Sequence, residues 1–189
     1  MASLLSTTNN TRPILPDSLR FLRSDVPIQA TEEEMRWLLA QNVRTVIDLR
    51  SPEECRRRPC PLERHTGFRY LHLPVTGGNA VPETPEQVAL SYFAMVDDQM
   101  EHILQTCLEA GSNVLYFCAA GKDRTGVVSA LLLRRLGFGQ AYIVEDYLLS
   151  AENLKEELAA YTSQHPEIDP AVITPQRQYM EGFLDLLDE

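Results

Sequence analysis

The chain has 189 residues, 44% hydrophobic and 23% charged, the balance of a globular domain long enough to bury a core without disulfide or metal staples. Its formal net charge of −10 argues against nucleic acid or an anionic membrane as partner of the whole molecule, so an anionic substrate must be met by a local basic site. No stretch approaches the roughly 20 apolar residues of a membrane span, and the start MASLLSTTNNTRP lacks the basic and apolar regions of a secretion signal, which leads us to expect a cytoplasmic protein with no stable membrane insertion.

Residues 1–17 are polar and broken by Pro13 and Pro16, and read as a flexible N-terminal arm ahead of a single domain over 18–189. SLRFLRS (18–24) alternates as a strand does. Thr31 followed by Glu34 is a capping box that opens a helix running to about Gln41. VRTVIDLR (43–50) is a β-branched buried strand, and Ser51-Pro52-Glu53-Glu54 opens a short helix or turn carrying Arg56, Arg57 and Arg58. FRYLHLPV (68–75) is another strand, and residues 74–85, with three prolines and Gly77-Gly78, form a loop. Helical spacing resumes over 84–95 and 100–110. NVLYFC (113–118) is a strand, and TGVVSALLLRRLG (125–137) is an apolar helix stopped by Gly137. Helices over 139–149, 152–163 and 175–188 form a helical C-terminal part. Strands alternating with helices give an α/β fold, with a central, partly parallel sheet of four to five strands flanked by helices.

The chemistry concentrates between strand and helix, in residues 118–126, CAAGKDRTG. Ligands of open α/β sheets sit beyond the carboxyl ends of the strands, where helix N-termini present unpaired amides. Gly121 permits backbone angles closed to other residues, and Ala119 and Ala120 keep side chains out of the way, so several amides can turn inward as an anion nest. Lys122 adds a cation at the mouth. The planar fork of Arg124 can grip two phosphoryl oxygens. Cys118 then faces the phosphorus, where helix amides and a cation favour the nucleophilic thiolate. Thr125 is placed to donate a hydrogen bond to the sulfur. Asp123, inside the loop, is the first candidate for general acid and base, with Asp97 and Asp98 as alternatives. A nucleotide-binding P-loop is excluded, because Gly121-Lys122 is followed by aspartate and not by serine or threonine.

The pattern C-x5-R resembles the protein-tyrosine phosphatase superfamily. The loop is most similar to that of bacterial tyrosine/phosphoinositide phosphatases, which reads C-x-A-G-K-D-R-T-G. VIDLRSPEE (46–54) and DYLLS (146–150) are similar to two further motifs of those proteins, in the same order. The resemblance implies a phosphatase-like fold and metal-free, cofactor-free hydrolysis through a phosphocysteine on Cys118, with Arg124 as clamp and Asp123 as acid. Its substrates would be phosphoproteins, through phosphotyrosine and also phosphoserine or phosphothreonine, and phosphoinositides. Lys122 matches a position tied to that breadth. Phe117 departs from the histidine of most relatives, and this keeps a second reading open: a phosphate-binding module with weak or no catalysis.

Asp48 and Arg50 end a strand near the loop and read either as an ion pair supporting it or as substrate contacts. Arg56, Arg57, Arg58 and Arg64 either line the mouth or form a solvated face balanced by Glu53, Glu54 and Glu63. Asp146 reads as a brace behind the loop. The four histidines share no ligand spacing and the four cysteines no zinc pattern, so no metal is expected. Cys55 is considered as a thiol partner that would protect Cys118 from overoxidation.

Overall fold

The computed structural model describes residues 3–78 and 80–188. Met1 and Ala2 of the expected arm, Asn79 of the expected 74–85 loop, and Glu189 lie outside the described residues. Five strands, β1 (Arg12–Leu15), β2 (Ser18–Ser24), β3 (Val43–Asp48), β4 (Arg69–His72) and β5 (Asn113–Phe117), form one sheet in the order β1-β2-β5-β3-β4. β1 and β2 are an antiparallel hairpin, and every other neighbouring pair is parallel. Parallel neighbours need long crossovers. These are supplied among α1 (Glu32–Ala40), α2 (Pro52–Arg57), α3 (Gln87–Phe93), α4 (Asp98–Glu109) and α5 (Asp123–Arg135), followed by α6 (Gln140–Asn153), α7 (Lys155–Gln164), α8 (Pro170–Ile173) and α9 (Arg177–Leu186). The expected α/β architecture is the one observed. Among the described residues, no helix is long and apolar enough to cross a membrane.

Strand alternation decides which side chain meets which core. On β5, Val114 and Tyr116 point into a core built with α3, α4, α5, α6 and α9, whereas Leu115 and Phe117 point into a second core with α1. The same parity carries Cys118 into the first core, at the N-terminus of α5. α5 is buried along nearly its whole length, which is why its sequence is apolar on every face. It ends where expected. Gly137 adopts φ +84°, and the amides of Gly137 and Phe138 return to the carbonyls of Arg134 and Leu133, both at 3.0 Å.

The expected N-terminal arm is corrected. The boundary at residue 17 falls inside the β1–β2 hairpin, whose turn holds Asp17 at φ 52°. Leu5, Thr8, Asn10, Thr11 and Arg12 are all buried. Proline content pointed to disorder, but β1 is an edge strand, which tolerates Pro13 because one of its sides needs no ladder donors. The helix expected over 84–95 is shorter, and α8 forms where only a linker was expected.

Candidate functional site

The loop after β5 turns at Gly121, whose φ is +65°. A side chain there would place its Cβ 2.3 Å from the Ser24 carbonyl oxygen and 2.4 Å from the Asp25 nitrogen, so the end of β2 forms a back wall that only glycine can approach. The Gly121 carbonyl accepts from Arg23 Nη2 and Asn10 Nδ2, both at 2.9 Å, and the Ala119 carbonyl accepts from the Val26 amide at 3.2 Å. Cys118 is 2% exposed.

Arg124 lies in the first turn of α5 and is 6% exposed. Its two terminal nitrogens donate to the Glu54 carboxylate, Nη1 to Oε2 at 2.6 Å and Nη2 to Oε1 at 2.7 Å. This end-on bidentate pair fixes the plane of the guanidinium. Glu54 is itself aimed by the start of α2, where it completes a capping box. The Ser51 amide donates to its Oε2 at 2.8 Å, and its own amide donates to Ser51 Oγ at 3.3 Å. The hydrogen bonds from Arg124 hold the Glu54 carboxyl down to about 2 against the opposing cost of burial. Burial also works to lower Arg124, but Glu54 and the neighbouring Cys118 outweigh it and hold the guanidinium above its ordinary range. The charge of Cys118 thus reaches the Arg124 guanidinium.

Asp123, about one third exposed, accepts a 2.5 Å hydrogen bond on Oδ1 from the Tyr92 hydroxyl, and its Oδ2 lies 3.2 Å from Lys122 Nζ. Tyr92 comes from α3 and is buried. Burial, followed by the charge of Asp123, pushes its pKa well above the ordinary value, so it stays protonated and remains a donor. Because Tyr92 gives its proton to Asp123, the 2.8 Å contact with Tyr147 must run from the Tyr147 hydroxyl to Tyr92. Sequence reading missed Tyr92, which sits in ordinary helical spacing.

Other expected site residues fall out differently. Lys122 is not an open cation at a mouth. It is 6% exposed and donates to the Ile173 carbonyl of α8, so the length of its side chain is spent tying the loop to the helical tail. Thr125 is buried and its hydroxyl makes no hydrogen bond among the described residues, so the expected bond to the sulfur is not formed here. Asp48 and Arg50 form a closed internal pair at 2.7 and 2.9 Å. Tyr70 also donates to Asp48, and Arg50 also donates to the Arg58 carbonyl, so the buried pair supports the strand end. Phe117 lies beneath the Arg50 guanidinium in the second core. Asp97 caps α4 by accepting from the Met100 amide at 2.8 Å, and Asp98 is an exposed first-turn residue of α4. Arg56, Arg58 and Arg64 are exposed, and Arg57 pairs with Glu53. Cys55 faces Asp48 at 3.4 Å. Burial, with that carboxylate, lifts its thiol to about 11, which removes it as a ready partner for Cys118. Ala119 and Ala120 are half-buried and add no polar group.

Beside the loop lies a cavity of about 80 Å³, with Lys122 and Asp123 on one side and Val81, Pro82, Val88, Met95 and Ile173 among its apolar walls. A larger cavity of about 420 Å³, between Met35 and Pro59–His65, contains none of the loop residues. Among the described residues, no three His, Cys, Asp or Glu side chains are grouped to hold a metal ion. The loop thus brings Cys118, Lys122, Asp123 and Arg124 together at the N-terminus of α5, with an apolar recess beside Lys122 and Asp123.

A model of the tyrosine phosphatase family matches residues 8–189. A tyrosine-protein phosphatase of Nostoc commune is 28% identical over 145 residues, covering 71% of this chain and 49% of the relative. The triple specificity protein phosphatase PtpB of Mycobacterium tuberculosis is 41% identical over 78 residues, covering 39% of this chain and 28% of the relative. The chain thus spans about half the length, or less, of these two curated relatives. The crystal structure of human tyrosine phosphatase-like serine/threonine/tyrosine-interacting protein is similar at 16% identity with a TM-score of 0.47, covering 94% of this chain and 95% of that one.

Proposed function

The chain belongs to the tyrosine phosphatase family, and from that premise we propose that it hydrolyses phosphomonoesters through a phosphocysteine intermediate. Arg124 and the loop amides hold the phosphoryl oxygens. The Cys118 thiolate attacks phosphorus, an S–P bond forms, the ester P–O bond breaks, and Asp123 gives its proton to the leaving oxygen. Water then attacks phosphorus, the S–P bond breaks, and Asp123 takes the proton from water. Preorganised donors around the three equatorial oxygens stabilise both transition states. The observation that carries the reading is the Glu54-locked Arg124 beside Cys118 on one glycine-turned loop.

The substrate we favour is phosphotyrosine, whose ring suits the apolar walls formed by Val81, Pro82, Val88 and Met95. Phosphoserine and phosphothreonine present the same dianion, and the name of the mycobacterial relative supports such breadth. Phosphoinositides complete the proposed range, but the buried Lys122 is not the group that would hold a second phosphate. We place the reaction in the cytoplasm, where thiols stay reduced. The test is turnover of p-nitrophenyl phosphate by the purified protein. Activity that vanishes in Cys118→Ser supports the proposal, and activity that survives it refutes the covalent mechanism. The partnerless Thr125 hydroxyl favours a second reading, a phosphate-binding module. Tungstate binding without turnover would decide for it.

A further inference from the structure

Behind the loop sits a charge cluster that folding alone does not call for. Arg12 on β1 and Arg23 on β2 are cross-strand partners, and both are buried, at 1% and 0% exposure. Like charges placed opposite each other across a hairpin repel. A single carboxylate, Asp146 of α6, serves both, with Oδ1 3.3 Å from Arg12 Nε and Oδ2 bonded to Arg23 Nη1. The formal balance of this trio is +1. Burial, followed by the charge of Arg23, holds the Arg12 guanidinium down to about 10, so Asp146 does not fully compensate the pair. Arg23 Nε is buried with no hydrogen-bond partner among the described residues. A buried ionic group of this kind is commonly replaced by apolar residues without loss of stability, so its presence asks for another reason.

The reason lies in what the spare donors reach. Arg23 Nη2 donates to the Gly121 carbonyl at 2.9 Å and to Ser150 Oγ at 3.2 Å. Asn10 donates to the same carbonyl and the same hydroxyl. In a planar trans peptide the carbonyl and the following N–H point in opposite directions. Two donors that draw the Gly121 oxygen backward therefore turn the Lys122 amide forward, toward the concave side of the loop. We propose that Arg23, assisted by Asn10, is a positioning residue of the oxyanion loop: it fixes the Gly121–Lys122 peptide with its N–H facing the phosphoryl group and keeps net positive charge beneath it. The proposal rests on the loop being the phosphoryl site, as set out above.

Arg23→Met tests it, because it leaves Asp146 with one arginine and removes the repulsion on Arg12. Tungstate affinity is measured by calorimetry in a Cys118→Ser background, and thermal melting in both backgrounds. The expected result is a split: a melting temperature equal to or above the parent, with tungstate affinity and kcat/KM each reduced about tenfold to a hundredfold. Arg23→Lys, which restores the charge and one donor, recovers part of both losses. Asn10→Ala, which removes the second donor, gives a smaller loss of the same kind. A folded Arg23→Met with parental tungstate affinity would overturn the proposal. So would an unfolded one, since that makes the arginine a structural strut. If the parent itself neither binds tungstate nor turns over substrate, the phosphatase reading fails first, and the two failures are told apart.

Discussion

Replacing Glu54 with glutamine keeps the shape of the side chain and one acceptor oxygen but removes the charge that locks Arg124. The carboxyl is held at about 2 instead of its ordinary 4.5, which corresponds to about 3 kcal/mol at neutral pH before screening. The Glu54 side chain is 31% exposed, so solvent takes roughly half, leaving about 1–2 kcal/mol. The pair's contribution is complete above the unfolded carboxyl's 4.5 and is lost as pH falls through about 2, because the depressed carboxyl must then be protonated in the folded state too. Glu54→Gln should therefore melt roughly 2–8 °C below the parent at neutral pH. The gap in denaturation midpoint should narrow as pH is lowered from about 5 toward about 3. With the guanidinium no longer held in plane, kcat/KM should fall about tenfold to a hundredfold. The assays are urea denaturation across that pH range and p-nitrophenyl phosphate kinetics. A variant with parental stability at neutral pH and kinetics within about twofold would show that the Glu54–Arg124 contact does not order the site.

Tyr92→Phe keeps the buried ring and removes the donor to Asp123. It should cost about 1 kcal/mol of stability and slow phosphotyrosine hydrolysis more than that of p-nitrophenyl phosphate, whose better leaving group needs less protonation; equal slowing on both would detach Tyr92 from the acid. Gly121→Ala forces a Cβ against the Ser24 carbonyl, so tungstate binding should be lost even where circular dichroism stays native. Lys122→Ala should leave the ratio of phosphotyrosine to phosphoinositide turnover unchanged while faster hydrogen exchange appears over α8; a changed ratio with unchanged exchange would reinstate the ammonium as a substrate contact.

What could be read from the sequence was local. The apolar run into Cys118, the small residues and the return to helix at Thr125 state a strand, a turn and a helix in succession, and all three stand in the structure, the helix starting two residues earlier, at Asp123. The capping box at Thr31 follows from a spacing of three and is formed, and the short helix expected at Ser51 is formed too, with a capping box of its own. Partnerships between distant segments did not show. Glu54 looked like a counterweight to its neighbouring arginines, because nothing in its surroundings says that a residue 70 positions later supplies its partner. Asp97 looked like a spare acid until the actual start of α4 made it a cap. Lys122 looked exposed because a lysine in a polar loop usually is, yet α8 folds over it. Arg12 was set aside with the neighbouring prolines, although Asp146, its brace, was recognised from the other end.

The Asn10 and Arg12 contacts also bear on how the molecule is made. Their partners Gly121, Asp146 and Ser150 follow them in the chain by 111 to 140 positions. The Cys118 segment is therefore made before α6, and the contacts of Asn10 and Arg12 with Asp146 and Ser150 close only after it. The brace behind the loop is thus completed by residues made after the loop itself.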